Sequence, residues 1–277
     1  MASTKLTKAA LAARLGVSRS SLYYAQKRPK RDAEDKVKIL AVMTDHLAYG
    51  HRRVAIALKM NHKKVARLMK KFGLKPLLHR GKRPQKPGDC GQPETGVTNV
   101  LKLLRPMEPN VVWAGDFTYL WFQDRFWYVA TIIDVFTREI VGWHIANHHT
   151  TSLIADAFCD AVRRTGTAPQ YFHSDQGSEY VSGAYESLLV QHGTIPSQSR
   201  KASPWQNGFQ ESFYNNFKLE LGDVRRFELV GALVEAIHRQ IHYYNHERIH
   251  TALQMSPVSY RKSHQQQREI VAVHVRA

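Results

Sequence analysis

The chain has 277 residues, of which 43% are hydrophobic and 10% aromatic, so it can bury a core in one large or two smaller domains. Its 40 lysines and arginines against 23 aspartates and glutamates give a formal charge of +17, which favours a nucleic-acid partner over a basic surface kept only for solubility. Two distant cysteines, no run of 18 apolar residues and no signal-peptide core argue against disulfide-stabilised, membrane and exported proteins, so we expect a cytoplasmic, nucleoid-associated protein.

Residues 1–30 are predicted to form a helix-turn-helix. Apolar residues at helical spacing lead to Gly16, which suits the end of a first helix, and Ser18 can cap a second. The second helix would present Arg19 to a DNA major groove. An ordinary helical hairpin fits the same pattern, so the spacing leaves both interpretations open.

Residues 31–75 are predicted to form a basic helical DNA-binding domain, preceded by a basic hinge at 27–32. Three helices fit the pattern, at residues 33–46, 51–59 and 61–72. Asn61 can cap the last of them. The cations expected to contact DNA phosphates are Arg52, Arg53, Lys63, Lys64, Arg67, Lys70 and Lys71. A merely solvated basic helix remains the alternative.

Residues 76–99 are rich in proline, glycine and charge, and are predicted to be a linker. From residue 100 the pattern changes to strands and helices, in the order of three strands, helix, strand, helix, strand and helix, up to residue 222. The predicted strands are 111–122, 126–135, 139–146, 170–174 and 194–199.

This order predicts an α/β fold with an RNase H-like core, in which helices flank a mixed five-stranded sheet. The small all-helical DNA-binding domains would precede this core. Residues 223–277 are predicted to be a C-terminal helix and a basic tail, whose last residues form a strand or remain loose.

Three carboxylates carry the predicted chemistry. Asp116 lies in the middle of an apolar strand, where an unpaired charge is costly and needs a partner or a metal ion. Asp175 follows a strand and precedes a flexible turn, and 35 residues separate it from Glu211. Oxygen ligands of this kind suit hard divalent ions, and a pair of such ions can catalyse an in-line displacement at phosphorus. We therefore predict that all three residues are catalytic and bind metal.

A helical projection places Glu211 opposite the apolar face of its helix. That face consists of Phe209, Phe213 and Phe217, and the polar stripe around Glu211 consists of Asn207, Asn215 and Lys218. Asn207 and Lys218 are therefore candidate DNA contacts. Trp205 could stack on a base or join the core. Arg248, in a basic and aromatic cluster, suits a DNA backbone or a partner subunit.

Several stretches together resemble the transposases of the third insertion-sequence family, which have an integrase-type DDE catalytic core. These stretches are AYGHRRVAIAL, VARLMKKFGLKP, WAGDFTYL, TIIDVFTREIVGWHI, HSDQGSEY, SPWQNGFQESFYNNFKLEL and YNHERIHTALQMSP. The resemblance implies that Asp116, Asp175 and Glu211 bind two Mg²⁺ or Mn²⁺ ions. It implies nicking at the ends of an element, followed by attack of the freed 3′-hydroxyl on another phosphodiester. Lys218 matches the basic position seven residues after the glutamate.

The resemblance also implies partners. These are double-stranded DNA, as terminal inverted repeats and as target, further copies of the chain, and a DNA-binding protein from an upstream frame. Retroviral integrases, more distant relatives, carry a zinc-binding His-His-Cys-Cys domain. Residues 1–100 contain only Cys90, so no zinc is expected. The alternatives are an RNase H-like nuclease and a DNA-binding regulator with an inactive core.

Overall fold

The computed structural model describes residues 7–23, 27–78, 97–199 and 207–276. The chain forms two compact units, one of residues 1–45 with 49–75 and one of residues 46–48 with 76–277. The first unit is helical, and the second is built on a β-sheet. None of the helices in the described ranges combines the length and apolar character needed to span a bilayer.

The first unit begins with α1 (Lys8–Arg14). Gly16, in the left-handed conformation (φ +66°), follows the C-cap Leu15 and terminates the helix, as the sequence predicts. The next element is a 3₁₀ helix, Arg19–Tyr23, instead of the predicted α-helix. The Ser18 hydroxyl accepts a hydrogen bond from the Ser21 N–H at 3.3 Å and bonds two neighbouring serine hydroxyls. Such local bonds compete with α-helical bonding. Residues 24–26 lie outside the described ranges, so the helix-turn-helix stays a prediction.

Three helices complete this unit: α2 (Lys27–Asp45), α3 (His51–Ala57) and α4 (His62–Lys71). The predicted hinge at 27–32 is wrong, because these residues begin α2. Pro29 lies in its first turn, where a helix needs no N–H donor. Asn61 caps α4 as predicted, since its side chain accepts from the N–H groups of Lys63 (2.8 Å) and Lys64 (3.4 Å).

The second unit contains a mixed sheet in the order β3-β2-β1-β4-β5. The strands are β1 (Val112–Phe122), β2 (Arg125–Asp134), β3 (Ile140–Ala146), β4 (Tyr171–Ser174) and β5 (Ile195–Gln198). The first three strands pair antiparallel, whereas β4 pairs parallel with β1 and β5. Every strand end lies within one residue of its prediction, and the predicted fold class is confirmed.

Helices cover both faces of this sheet. The helices of this unit are α5 (Val100–Leu103), α6 (Thr151–Thr165), α7 (Gly183–Gln191), α8 (Gly208–Leu221), α9 (Val230–His246) and α10 (Pro257–Arg276). One apolar cluster joins the sheet to α6 and α7, and the other joins it to α8 and α9. The last residues form α10, so the expectation of a strand or loose tail is wrong. Their run of glutamine, arginine and glutamate favours a helix.

Gly142 allows β3 and α6 to approach closely. A Cβ atom at this position would lie 2.5 Å from the Ala157 carbonyl oxygen and 2.5 Å from the Ala161 nitrogen and Cβ. Two of these atoms belong to the helix backbone, so no side-chain rotation can relieve the contact. The close packing of α6 on the sheet therefore requires glycine here.

We predict that Gly142→Ala lowers the free energy of unfolding by about 2–3 kcal/mol, because α6 must move away from β3. Urea denaturation followed by circular dichroism measures this change. The control is Gly231→Ala in α9, where an added Cβ meets nothing within 4 Å. That variant is expected to be neutral or slightly stabilised. Equal stability of both variants would show that the β3–α6 contact tolerates a methyl group.

Candidate active site

Two of the three predicted catalytic residues lie where strands β1 and β4 separate. The parallel pairing of these strands ends at Ala114 and His173. Asp116 and Asp175 each lie two positions beyond this last pair, so both carboxylates project from the same edge of the sheet. Asp116 is half-buried and Asp175 is exposed. The structure therefore brings these two residues together although 58 residues lie between them in the chain.

Hydrogen bonds hold the loop that carries Asp175. One carboxylate oxygen of Asp175 accepts from the Gly177 N–H at 3.0 Å. The Gln176 side-chain amide donates to the Ser199 carbonyl at 2.8 Å, and a hydrogen bond of 2.9 Å joins buried His173 to the Ser197 hydroxyl. The loop is thus anchored to β5 and the residue after it.

Helix α8, which carries Glu211, docks on β1 through polar side chains. Asn207 donates to the Gly115 carbonyl at 3.1 Å, and Gln210 donates to the carbonyls of Ala114 (2.6 Å) and Thr131 (2.8 Å). The Tyr214 hydroxyl donates to the Asp116 carbonyl at 2.6 Å. Three consecutive carbonyls of β1 therefore accept bonds from α8. Because Glu211 directly follows Gln210, this docking sets its position relative to Asp116.

The helical projection was only partly correct about α8. Phe213 and Phe217 are 2% exposed and belong to the core, as predicted. Asn207, however, is only 5% exposed, so its placement on an exposed DNA-binding stripe is wrong. The spacing of the amides and the tyrosine at positions 207, 210 and 214 follows one face of a helix. That spacing, visible in the sequence, could have predicted a polar face of the helix that docks on the sheet.

The electrostatics of the site favour a bound cation. Burial and the neighbouring charge of Asp175 raise the pKa of Asp116 to about 7, although the Phe117 N–H bond to its carboxylate opposes this shift. Burial, with the charge of Asp116, also raises the pKa of Tyr180 and of Tyr214 well above the usual value. A divalent cation would offset the cost of ionising Asp116 beside Asp175.

The three carboxylates do not form a closed ligand set in this structure. Within residues 7–23, 27–78, 97–199 and 207–276, no three acidic, histidine or cysteine side chains lie close enough to hold one metal ion. The charge of Asp175 contributes to the raised pKa of Asp116, and the half-buried Glu211 lies on the docked helix.

Of the remaining predicted DNA contacts in this unit, only Lys218 is both described and exposed. Its Nζ lies 4.9 Å from the centre of the Tyr119 ring, beside β1. Arg248 is 1% exposed, and its Nε donates to both carboxylate oxygens of Glu220 at 2.7 and 2.9 Å. Arg248 therefore joins the region after α9 to α8, and its prediction as a DNA contact is wrong. Trp205 lies outside the described residues.

The basic helix α4 uses part of its charge internally. Arg67 donates to both oxygens of buried Asp32 at 3.0 and 2.7 Å, and Lys71 donates to one of them at 2.7 Å. These bonds lower the pKa of Asp32. Lys64 pairs with Asp35 at 2.6 Å. These three cations hold α4 to α2, a role that the sequence did not reveal.

Other predicted cations remain on the surface of the first unit. Lys63 and Lys70 are exposed, and neither forms an ion pair with any residue in the described ranges. Arg19 and Arg52 are exposed, and the Arg53 guanidinium lies 5.6 Å from the Tyr49 ring centre. This unit therefore keeps exposed positive charge on α4 and on the elements before it.

Comparisons with known proteins agree with this arrangement. Two family models, both described as integrase core domain, match residues 106–204 and 192–257. The chain is 35% identical to the transposase for insertion sequence element IS904 of Lactococcus lactis subsp. lactis (strain IL1403) over 237 residues, which cover 81% of this chain and 92% of that protein. It is 29% identical to the putative transposase InsK for insertion sequence element IS150 of Escherichia coli (strain K12), over 88% of this chain and 90% of that protein.

A solved structure supports the fold alone. A chain in the simian T-cell lymphotropic virus intasome, solved in complex with PP2A regulatory subunit B56 gamma, superposes with a TM-score of 0.51 at 15% identity. The match covers 76% of this chain and 74% of that chain. The mixed sheet and its flanking helices thus define an integrase-type, RNase H-like core.

The chain belongs to the family of insertion-sequence transposases with an integrase core. It is a DNA transposase of the DDE polynucleotidyl transferase type, and neither the RNase H-like nuclease nor the inactive regulator is favoured. Membership implies dependence on a divalent metal, binding to DNA and an oligomeric assembly.

The raised pKa of Asp116 predicts a pH-dependent effect of Asp116→Asn. Asparagine keeps an oxygen for the Phe117 N–H but removes the charge. Because the pKa of Asp116 rises from 3.8 to about 7 on folding, ionisation costs stability increasingly from pH 4 to pH 7. In EDTA, we expect the variant to melt about 5–10 °C above the wild type at pH 8. The difference should nearly vanish at pH 4.

Differential scanning calorimetry at both pH values measures this effect. Asp156→Asn, at an exposed position on α6, is the control and should leave the melting temperature unchanged at either pH. Addition of Mg²⁺ should stabilise the wild type and narrow its difference from Asp116→Asn. A difference of equal size at pH 4 and pH 8 would contradict the assigned pKa.

Proposed function

We propose that Asp116, Asp175 and Glu211 hold two Mg²⁺ or Mn²⁺ ions and catalyse cleavage at the ends of an insertion element, followed by strand transfer. The observation that carries this proposal is the separation of β1 from β4 directly before Asp116 and Asp175. The docking of α8 on the carbonyls of β1 supports a position for Glu211 near the same edge.

The donor chemistry fits these ions. Carboxylate oxygens are the ligands that Mg²⁺ and Mn²⁺ prefer, and Asp116 and Asp175 together create an excess of negative charge. Asn207 Oδ1 is buried and has no hydrogen-bond partner among the described residues, while its amide nitrogen is bonded to Gly115. An unpaired buried oxygen beside the carboxylates is compatible with a bound ion or its water.

When bound, the two ions would stabilise the attacking and leaving oxygens of an in-line displacement at phosphorus. Asp116 and Asp175 act in their ionised forms, which the ions favour. Gln210 and Tyr214 hold the backbone of β1 against α8, so that the separation between Glu211 and Asp116 stays fixed. Exposed Lys218 holds a phosphate of the strand that enters along β1.

The helical unit would bring the DNA to this site. Exposed Lys63 and Lys70 on α4, with Arg19, Arg52 and Arg53, provide positive charge for the terminal inverted repeats. Asp32 and Asp35 on α2 partly neutralise Lys64, Arg67 and Lys71, so these three cations would contribute less to phosphate binding. Joining two ends requires two sites, so several copies of the chain act together, and an upstream-frame DNA-binding protein is a further candidate partner.

Glu211→Gln is predicted to reduce strand transfer with Mg²⁺ by at least about 100-fold, because the amide is a poorer metal ligand than the carboxylate. Labelled element ends and a target duplex report the reaction on a gel. Glu186→Gln, an exposed carboxylate on α7, is the control and should retain activity. Full activity of Glu211→Gln would refute the assigned role, whereas cleavage of RNA–DNA hybrids without strand transfer would support a nuclease.

The double variant Lys63→Ala, Lys70→Ala is predicted to weaken binding to duplex DNA at all sequences. Loss of two phosphate contacts should make the slope of log association constant against log salt concentration less negative by about 1.8. Fluorescence anisotropy between 50 and 200 mM NaCl measures this slope. Lys38→Ala, an exposed lysine on α2, is the control for removing one positive charge. An unchanged slope in the double variant would show that Lys63 and Lys70 on α4 do not contact DNA phosphates.

A further inference from the structure

The hairpin of β1 and β2 exposes a cluster of aromatic side chains. Tyr119, Trp121 and Phe126 are 56%, 52% and 42% exposed. Among the phenylalanine, tryptophan and tyrosine side chains that the structure describes, these three are the only ones exposed by more than a third. They contact one another, with ring centres 4.7 Å apart for Trp121 and Phe126 and 5.3 Å apart for Tyr119 and Phe126. We call them the hairpin cluster.

The hairpin cluster is held rigidly. Gln123 and Asp124 form a two-residue turn with φ angles of 49° and 57°, a geometry that matches the twist of a hairpin. Gln123 Nε2 also donates to the Glu228 carbonyl at 2.8 Å. The alternate residues Leu120 and Phe122 are 7% and 3% exposed and belong to the core. The strand alternation therefore directs the cluster outward, and its exposure is a property of the folded sheet.

A row of rings connects the hairpin cluster to the candidate active site. Phe126 lies 6.3 Å from Tyr128, whose ring centre is 4.9 Å from that of His149. His149 stacks on Phe117, the residue after Asp116, at 6.0 Å and 13°. His149 Nδ1 lies 2.8 Å from a carboxylate oxygen of Glu179, in the loop after Asp175. The row therefore runs from the hairpin to Phe117, the residue after Asp116, and to Glu179, four residues after Asp175.

Charge identifies the class of ligand. Lys218 lies over the Tyr119 ring at 4.9 Å, and Tyr119 is three residues from Asp116, about 10 Å along the strand and on its opposite face. An exposed aromatic surface beside a lysine and a phosphodiester-cleaving site fits a nucleic-acid strand, in which the phosphates meet the cation and the flat bases meet the rings. A chain with a charge of +17 also favours this ligand over a second copy of itself.

We propose that the hairpin cluster binds unpaired bases of a DNA strand next to the scissile phosphate. This inference rests on the proposed role of the three carboxylates. Bases inside a duplex present only their edges, so stacking on Trp121 requires that a base leaves its pair. The cluster would hold one or two bases that have opened at the element end, and so keep the strand in position along β1.

Binding of single strands in EDTA tests this proposal without catalysis. The probe is a fluorescent twelve-residue oligothymidylate, and a blunt twenty-base-pair duplex is the reference. Trp121→Ala should weaken binding of the single strand about tenfold and change duplex binding less than twofold. Trp121→Phe should stay within about threefold of the wild type, because it keeps a stacking ring. Val190→Ala, an exposed apolar residue on α7, is the control and should bind normally.

Equal binding of the single strand by Trp121→Ala and the wild type would overturn the proposal. So would an equal loss on the blunt duplex, or dissociation of the oligomer by Trp121→Ala in sedimentation, because the cluster would then be a contact between copies of the chain.

A cleavage assay on two substrates then separates this inference from the proposed function. One element end is fully paired, and the other has two mismatched terminal base pairs. Trp121→Ala should slow cleavage of the paired end about tenfold and of the mismatched end less than threefold, because mismatches supply the open bases. Equal slowing on both ends would contradict the inference. A wild type inactive on both ends would refute the proposed function, and the binding result in EDTA would still decide whether bases stack on the cluster.

Discussion

The docking of α8 on the carbonyls of β1 is the interaction on which the site depends. β4 pairs with β1 only as far as Ala114, and α8 contacts the strand at this point. Asn207, Gln210 and Tyr214 donate to the carbonyls of Gly115, Ala114 and Asp116, respectively. A buried carbonyl without a donor costs about 1–3 kcal/mol, so the helix is held in one register on the strand. That register determines the position of Glu211. An apolar helix face would specify this position less well, because apolar contacts are less directional than hydrogen bonds.

The same edge of the sheet concentrates negative charge at a cost to the protein without metal. Burial and Asp175 both disfavour the ionised form of Asp116, which is the form that binds cations. Hydrogen bonds hold this edge of the sheet, because His173 at the end of β4 bonds Ser197 and Gln176 in the following loop bonds Ser199. In the proposed mechanism, activity and stability therefore oppose each other at Asp116, because the ionised form that would bind metal is the form that lowers stability.

The net charge of +17 overstates the positive charge that is available to bind DNA. Arg248 forms an ion pair with Glu220 inside the second unit, and Arg67 and Lys71 form ion pairs with Asp32 in the first. The Arg248–Glu220 pair is buried, whereas Arg67 and Lys71 remain partly exposed, and all of these pairs hold helices together. The hairpin cluster is exposed on the same unit, and we propose that its rings add contacts with DNA bases to the contacts that cations make with phosphates.

The sequence alone determined the strand ends, the Asn61 cap, the family motifs and the interval between Asp175 and Glu211, because each depends on neighbouring residues or on a fixed spacing. The tertiary structure decided the roles of Asn207 and Arg248. A helical projection treats amides and charges as surface groups, and their partners here, the Gly115 carbonyl and Glu220, come from distant parts of the chain. Only the folded sheet brings those partners within hydrogen-bond distance, so local pattern could not reveal them.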